Sequence, residues 1–140
     1  MFPIRADARV LPFAHGFFDA VVSVDAFEYF GTDALYLPSL VRYLKPHRQV
    51  GIVNAGVQRE FDALPAEWPS DFCAFYTPEW WRRHWTVTRC VTVEAAEHLP
   101  GGRDLWMRWH HAIGVTDDVY LSSPAGENLG FNRVVARRTA

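Results

Sequence analysis

The chain has 140 residues, enough for one domain and too few for two, and its 49% hydrophobic and 21% charged content is that of a sequence that folds around a core. A formal net charge of −2, with the basic residues scattered apart from Arg82–Arg83 and Arg137–Arg138, offers no patch for nucleic-acid phosphate, so nucleic acid is not an expected partner. No apolar run nears the ~20 residues that span a bilayer, the start has no secretory pattern, and Cys73 and Cys90 lack a CxxC neighbour; the expectation is a soluble, cytoplasmic protein with free thiols and no membrane partner.

In chain order, Asp19–Val24 is a short β-branched run without strict alternation, which predicts a strand covered on both faces. From Thr32, the spacing of Leu37, Leu40, Val41 and Leu44 predicts one face of a helix, capped by Thr32 or Asp33 and stopped by Pro46. Gln49–Asn54 is a second buried-type strand, and strand, helix, strand makes a βαβ unit with parallel strands. Residues 55–76 have no sustained period and are expected to form an irregular insertion with one short helical turn near Glu60.

Thr77-Pro78-Glu79 opens a helix, because Thr caps, Pro is preset for the first helical position and Glu suits the positive end of the dipole; it runs to about Trp85. Thr86–Ala95 reads as a strand, Gly101-Gly102 as a break, Leu105–Ile113 as a helix, residues 117–126 as turns and Leu129–Arg137 as a last strand. The six tryptophans exceed ordinary usage, and such rings fill a core or line an apolar pocket. His110-His111 is not expected to hold a metal, since adjacent helical residues point about 100° apart and no third ligand stands at suitable spacing.

The segment Ala6-Asp7-Ala8-Arg9-Val10-Leu11-Pro12-Phe13, then a turn and Phe18-Asp19-Ala20-Val21-Val22-Ser23, resembles the signature that follows the glycine-rich motif in class I S-adenosylmethionine (SAM)-dependent methyltransferases. Tyr29-Phe30 and the run ending Tyr43-Leu44-Lys45-Pro46 continue the likeness, with Pro46-His47-Arg48 where that family has Pro-Gly-Gly. The resemblance implies an α/β fold, a partial Rossmann-like sheet of strands 4 and 5 in parallel plus an antiparallel 6/7 pair with flanking helices. It also implies one partial domain over residues 1–140, divided at about residues 54 and 76.

The same resemblance implies SAM as cofactor and a small-molecule substrate. Asp7 would accept from the adenine amino group and the Ala8 N–H would meet a ring nitrogen; Asp7 is equally placed to cap the turn holding Arg9 to Leu11. Asp25 and Glu28 follow the carboxyl end of the fourth strand, where open α/β sheets bind ligands, and are the candidate catalytic acids. Phe27 is assigned to the methyl-donor pocket and Tyr29 to the substrate, with Trp80 and Trp81 as an apolar cap and Trp106 and Trp109 opposite; helix packing is the competing role for these tryptophans. The family's opening strand, glycine-rich turn and ribose-binding acid do not occur before Phe2, so this chain alone is expected to bind SAM weakly and to be inactive. An exposed Asp19–Val24 edge would then pair with a second copy or a partner protein. The alternatives are an enzyme, a non-catalytic methyltransferase-like module, or part of a longer reading frame.

Overall fold

The computed structural model describes residues 2–115 and 120–140. Four strands form one sheet: β1 (Phe18–Val24), β2 (Leu44–Val57), β3 (Val91–His98) and β4 (Leu129–Arg138), in the spatial order β1-β2-β4-β3. β1 and β2 are parallel, whereas β4 lies antiparallel to both β2 and β3. The parallel pair and the antiparallel pair expected from the resemblance are thus both present. Part of the turn-rich 117–126 stretch lies outside the described residues, and its end runs into the 3-10 turn Ala125–Asn128.

Alternation along β2 and β4 gives the sheet two differently furnished faces. Val50 and Ile52 of β2 and Val134 and Ala136 of β4 meet Leu37, Leu40, Trp81 and Trp85 in the main core. The helices of that core are α1 (Tyr36–Val41) and α2 (Pro78–Thr86). On the other face, Ala55, Val57, Leu129 and Phe131 meet Phe61, Trp68, Phe72 and Phe75 of the insertion. Trp106 of α3 (Gly102–Ala112) joins this second cluster.

The Thr77 opening forms as the sequence predicts: its Oγ1 accepts from Trp80 N at 3.1 Å and Pro78 is the first helical residue. Five boundaries differ, that of α3 among them, which begins at Gly102 and not at Leu105. α1 is shorter than the 32–44 periodicity suggests, because Asp33 Oδ1 accepts from Leu35 N at 2.8 Å and holds a turn where a cap was expected. The strand read as Gln49–Asn54 extends from Leu44 to Val57. Its register against β1 slips between Phe18↔Leu44 and Ala20↔Gln49, so Pro46 sits in a bulge that needs no ladder donor, and His47 takes the positive φ of 62° that a glycine would supply. The helical turn expected near Glu60 is instead at Ser70–Phe72, and Glu60 Oε1 accepts from Thr77 Oγ1 at 3.0 Å. Thr86–Cys90 completes and turns out of α2, so β3 begins only at Val91.

The expectation of a first strand covered on both faces does not hold. β1 is the outermost strand, and Val22 and Val24 on its outer face are 74% and 65% exposed, while Phe18 and Val21 pack against the core.

Candidate active site

A cavity of about 580 Å³ opens at the carboxyl ends of the parallel strands β1 and β2. Val24 and Asp25 contribute from the end of β1, Val53 and Ala55 from β2. Opposite walls come from Phe72 and Phe75 of the insertion and from Leu105, Trp106 and Trp109 of α3, and Phe131 of β4 adds a further ring. Polar atoms are few: the carboxylates of Asp25 and Asp71, the Tyr29 hydroxyl and the His110 ring. The mix of apolar wall and sparse polar groups is that of a small-molecule site, at the edge of the sheet where open α/β folds bind ligands.

Two local features build its acidic corner. Asp25 ends β1 with a positive φ of 52°, a conformation uncommon outside glycine but tolerated by Asp, and its N–H donates to Val53 O at 2.8 Å. The chain then turns through the 3-10 segment Phe27–Tyr29, which buries Glu28 completely. With the Asn54 amide oriented to serve both acceptors, its Nδ2 donates to Glu28 Oε2 at 2.9 Å and to Val53 O at 3.2 Å. The other carboxylate oxygen of Glu28 has no donor. Burial first, then the neighbouring Asp25 carboxylate, pushes the Glu28 pKa up to about 7. Burial and the nearby charges of Glu28, Asp25 and Asp71 raise the Tyr29 phenol, so three carboxylates gather around this ring.

The residues read from the sequence divide between this site and elsewhere. Asp25 and Tyr29 line the cavity, and Glu28 lies buried beside Asp25. Phe27 is not at a pocket wall: it is 1% exposed and packs edge-on against Tyr36, Trp81 and Trp85. Trp81 is fully buried in the same core, because helix α2 turns it toward the sheet. Trp80 stacks on Tyr76 at 3.8 Å and on His84 at 4.6 Å, away from the cavity. The tryptophans that do line it are Trp106 and Trp109.

Asp7 and Ala8 are not among the residues that line this cavity. Asp7 Oδ1 accepts from Arg9 N at 2.9 Å and its Oδ2 from the Arg9 guanidinium at 3.0 Å, an Asx-type turn rather than a helix cap. The Arg9 hydrogen bonds hold the Asp7 carboxyl below its ordinary pKa. Burial pushes the Tyr36 phenol up to about 12, and its hydroxyl donates to Ala8 O at 3.0 Å, tying this segment to α1. Ala6 and Ala8 border an apolar slot of about 420 Å³ whose far wall is Phe18, Val21 and Val22 of β1.

Sequence reasoning missed Asp71, Phe72, Phe75, Leu99 and Phe131. The first three fall in a stretch without period, and Phe131 was legible only as one residue of a strand.

Residues 2–50 match the family model described as "Methyltransferase domain". This is the methyltransferase fold. Geranyl diphosphate C-methyltransferase from Streptomyces coelicolor A3(2) superposes with a TM-score of 0.74 at 15% identity, over 96% of this chain and 51% of that one. Phosphoethanolamine N-methyltransferase 2 of Haemonchus contortus gives 0.70 at 18% identity, over 96% and 36%. The same fold also carries a cyclase, SpnF, with a TM-score of 0.68 at 17% identity, over 96% and 54%. The chain spans about half the length, or less, of these three structures, and no curated protein matches it. The parallel β1–β2 pair and the antiparallel β4 and β3 agree with the mixed α/β sheet of these structures.

Proposed function

We propose that this chain forms the acceptor-binding half of a SAM-dependent methyltransferase whose substrate is a small molecule held in the cavity beside Asp25 and Glu28. The observation that carries the reading is a buried carboxyl group tuned to about pH 7 next to an aromatic-walled cavity at the carboxyl ends of parallel strands. SAM supplies an activated methyl group. Positioning is most of what such a displacement asks of a protein, together with removal of a proton from the acceptor. The aromatic walls exclude water from the acceptor. The Asp25–Glu28 pair accepts the acceptor's proton, since a group with a pKa near 7 exchanges protons readily at neutral pH.

The segment proposed for the adenine end is Asp7–Ala8. A flat heteroaromatic ring suits the apolar slot that Ala6 and Ala8 border, and the half-exposed Asp7 carboxylate between them retains acceptor capacity beyond its bonds to Arg9. The named ligands of two structural neighbours, geranyl diphosphate and phosphomonomethylethanolamine, both carry phosphate. No lysine or arginine lines the cavity among the described residues, so a phosphorylated acceptor is not the one we propose.

The test is nuclear magnetic resonance of the labelled chain titrated with S-adenosylhomocysteine to millimolar concentration. The amides of Asp7 and Ala8 should shift, and Asp7→Ala should weaken binding by about 1–3 kcal/mol. Shifts absent from this segment, or an affinity indifferent to Asp7→Ala, would overturn the adenine assignment.

A second reading, a non-catalytic module that binds a partner through β1, is favoured by one observation: the exposed Val22 and Val24 on an outermost strand.

A further inference from the structure

We infer that the methyl acceptor is a hydrophobic amine, bound as its cation between the carboxylates of Asp25 and Asp71 and the aromatic faces of Tyr29, Trp106 and Trp109. This rests on the methyltransferase reading above and specifies its substrate class. Three features of one cavity point the same way. Its charged lining residues are both acidic, Asp25 and Asp71, and no lysine or arginine faces them among the described lining residues. Glu28 lies close enough to both Asp25 and Tyr29 for their charges to act on one another, which concentrates negative potential at this corner. The remaining wall is aromatic and aliphatic, and indole and phenol faces attract a cation while their bodies shed water from an apolar tail. An anionic acceptor meets repulsion at both carboxylates, whereas a neutral one gains apolar contact and hydrogen bonds but no attraction of charge.

The same corner supplies the proton path that amine chemistry requires. An ammonium has no lone pair, so the bound cation first gives a proton to the Asp25–Glu28 pair, of which Glu28 retains an oxygen without a donor. The freed nitrogen lone pair forms the N–C bond to the methyl carbon of SAM. The C–S bond breaks with its electron pair on sulfur, leaving a neutral thioether. The product is the methylated ammonium, positively charged, and the carboxylic acid returns its proton to water.

The experiment is a titration of the chain followed by tryptophan fluorescence, since Trp106 and Trp109 line the cavity. The probes are 2-phenylethylamine, 2-phenylethanol and 3-phenylpropionate at pH 7.5, which are alike in shape and differ in charge. The amine should bind about tenfold tighter than the alcohol, and the carboxylate more weakly than either. Asp71→Asn and Asp25→Asn, both at exposed positions and the second tolerant of positive φ, should each erase most of the amine preference while leaving the alcohol's affinity in place. Equal affinities for amine and alcohol, no saturable binding of the amine, or a preference that survives both variants would overturn the inference. The two readings fail separately: the cofactor titration decides the methyl-transfer reading, and the charge series decides the amine.

Discussion

Glu28 is where sequence, burial and chemistry meet most closely. Its carboxyl is held above its ordinary 4.5 at about 7, so the folded chain keeps a proton there that the unfolded chain has already released. Between those values the native state binds more protons than the unfolded one, and stability must fall as pH rises from about 4.5 to 7, with the loss complete above that window. Glu28→Gln keeps the shape and removes the titration. Urea unfolding at pH 5, 6 and 7.5 should show the variant gaining on the wild type as pH rises, by about 2–3 kcal/mol across the window. A difference that stays constant with pH would mean that Glu28 is ionised in the folded chain near pH 5. The sequence picked out Asp25, Glu28 and Tyr29 because they follow a strand end. It did not tell that Glu28 would be buried while Tyr29 stands exposed, since that depends on which way a three-residue 3-10 turn rolls.

At the scale of elements, helix α2 was legible because its start is encoded chemically. Thr77 Oγ1 both accepts from Trp80 N and donates to Glu60 Oε1, so it caps the helix and fastens the insertion at once. Thr77→Ala should therefore cost about 1–2 kcal/mol in chemical denaturation, the upper part of the range for a lost cap. A loss well under half a kilocalorie would show that water replaces both bonds. The elements that were misread are those whose limits are set by partners. The Leu37 to Leu44 periodicity holds, yet its last residues join β2 because Leu44 pairs with Phe18. The same pairing draws Pro46 into a bulge. Phe61, Trp68, Phe72 and Phe75 carry no period in sequence because they pack as separate anchors against the sheet, not as one face of a regular element.

For the molecule as a whole, the feature with the widest reach is the outer strand. β1 presents Val22 and Val24 largely exposed, the first bordering the slot beside Ala8 and the second the cavity mouth, and Lys45 and Arg48 pair with Asp19 near its start. An apolar edge of this kind is a template for another strand. The chain is expected to associate in solution, and Val22→Lys to shift it toward monomer without loss of secondary structure, as read by light scattering and circular dichroism. A wild-type chain that is monomeric and well folded at high concentration would remove the edge from consideration. Fold class and the parallel and antiparallel pairings were open to a sequence reading because they follow from local runs and one family likeness; the cavity was not, because its walls come from five separated stretches.

The asparagines of the antiparallel half fasten the molecule in a way that separates its two faces. Asn132 Nδ2 donates to Val57 O at 3.2 Å and to Tyr76 O at 2.8 Å, and Asn128 Nδ2 donates to Arg59 O at 2.8 Å. Gly56 permits this closeness, because a Cβ there would stand 2.5 Å from the Asn132 amide nitrogen and 2.6 Å from Tyr76 O. The insertion is thus riveted at its two ends by side-chain amides and by the Thr77–Glu60 bond, while Phe61, Trp68, Phe72 and Phe75 between them meet the sheet through their rings. The aromatic cluster on the α3 side and the α1–α2 core lie on opposite faces of one sheet, and native-state hydrogen exchange on the two sides would tell whether they open as separate cooperative units.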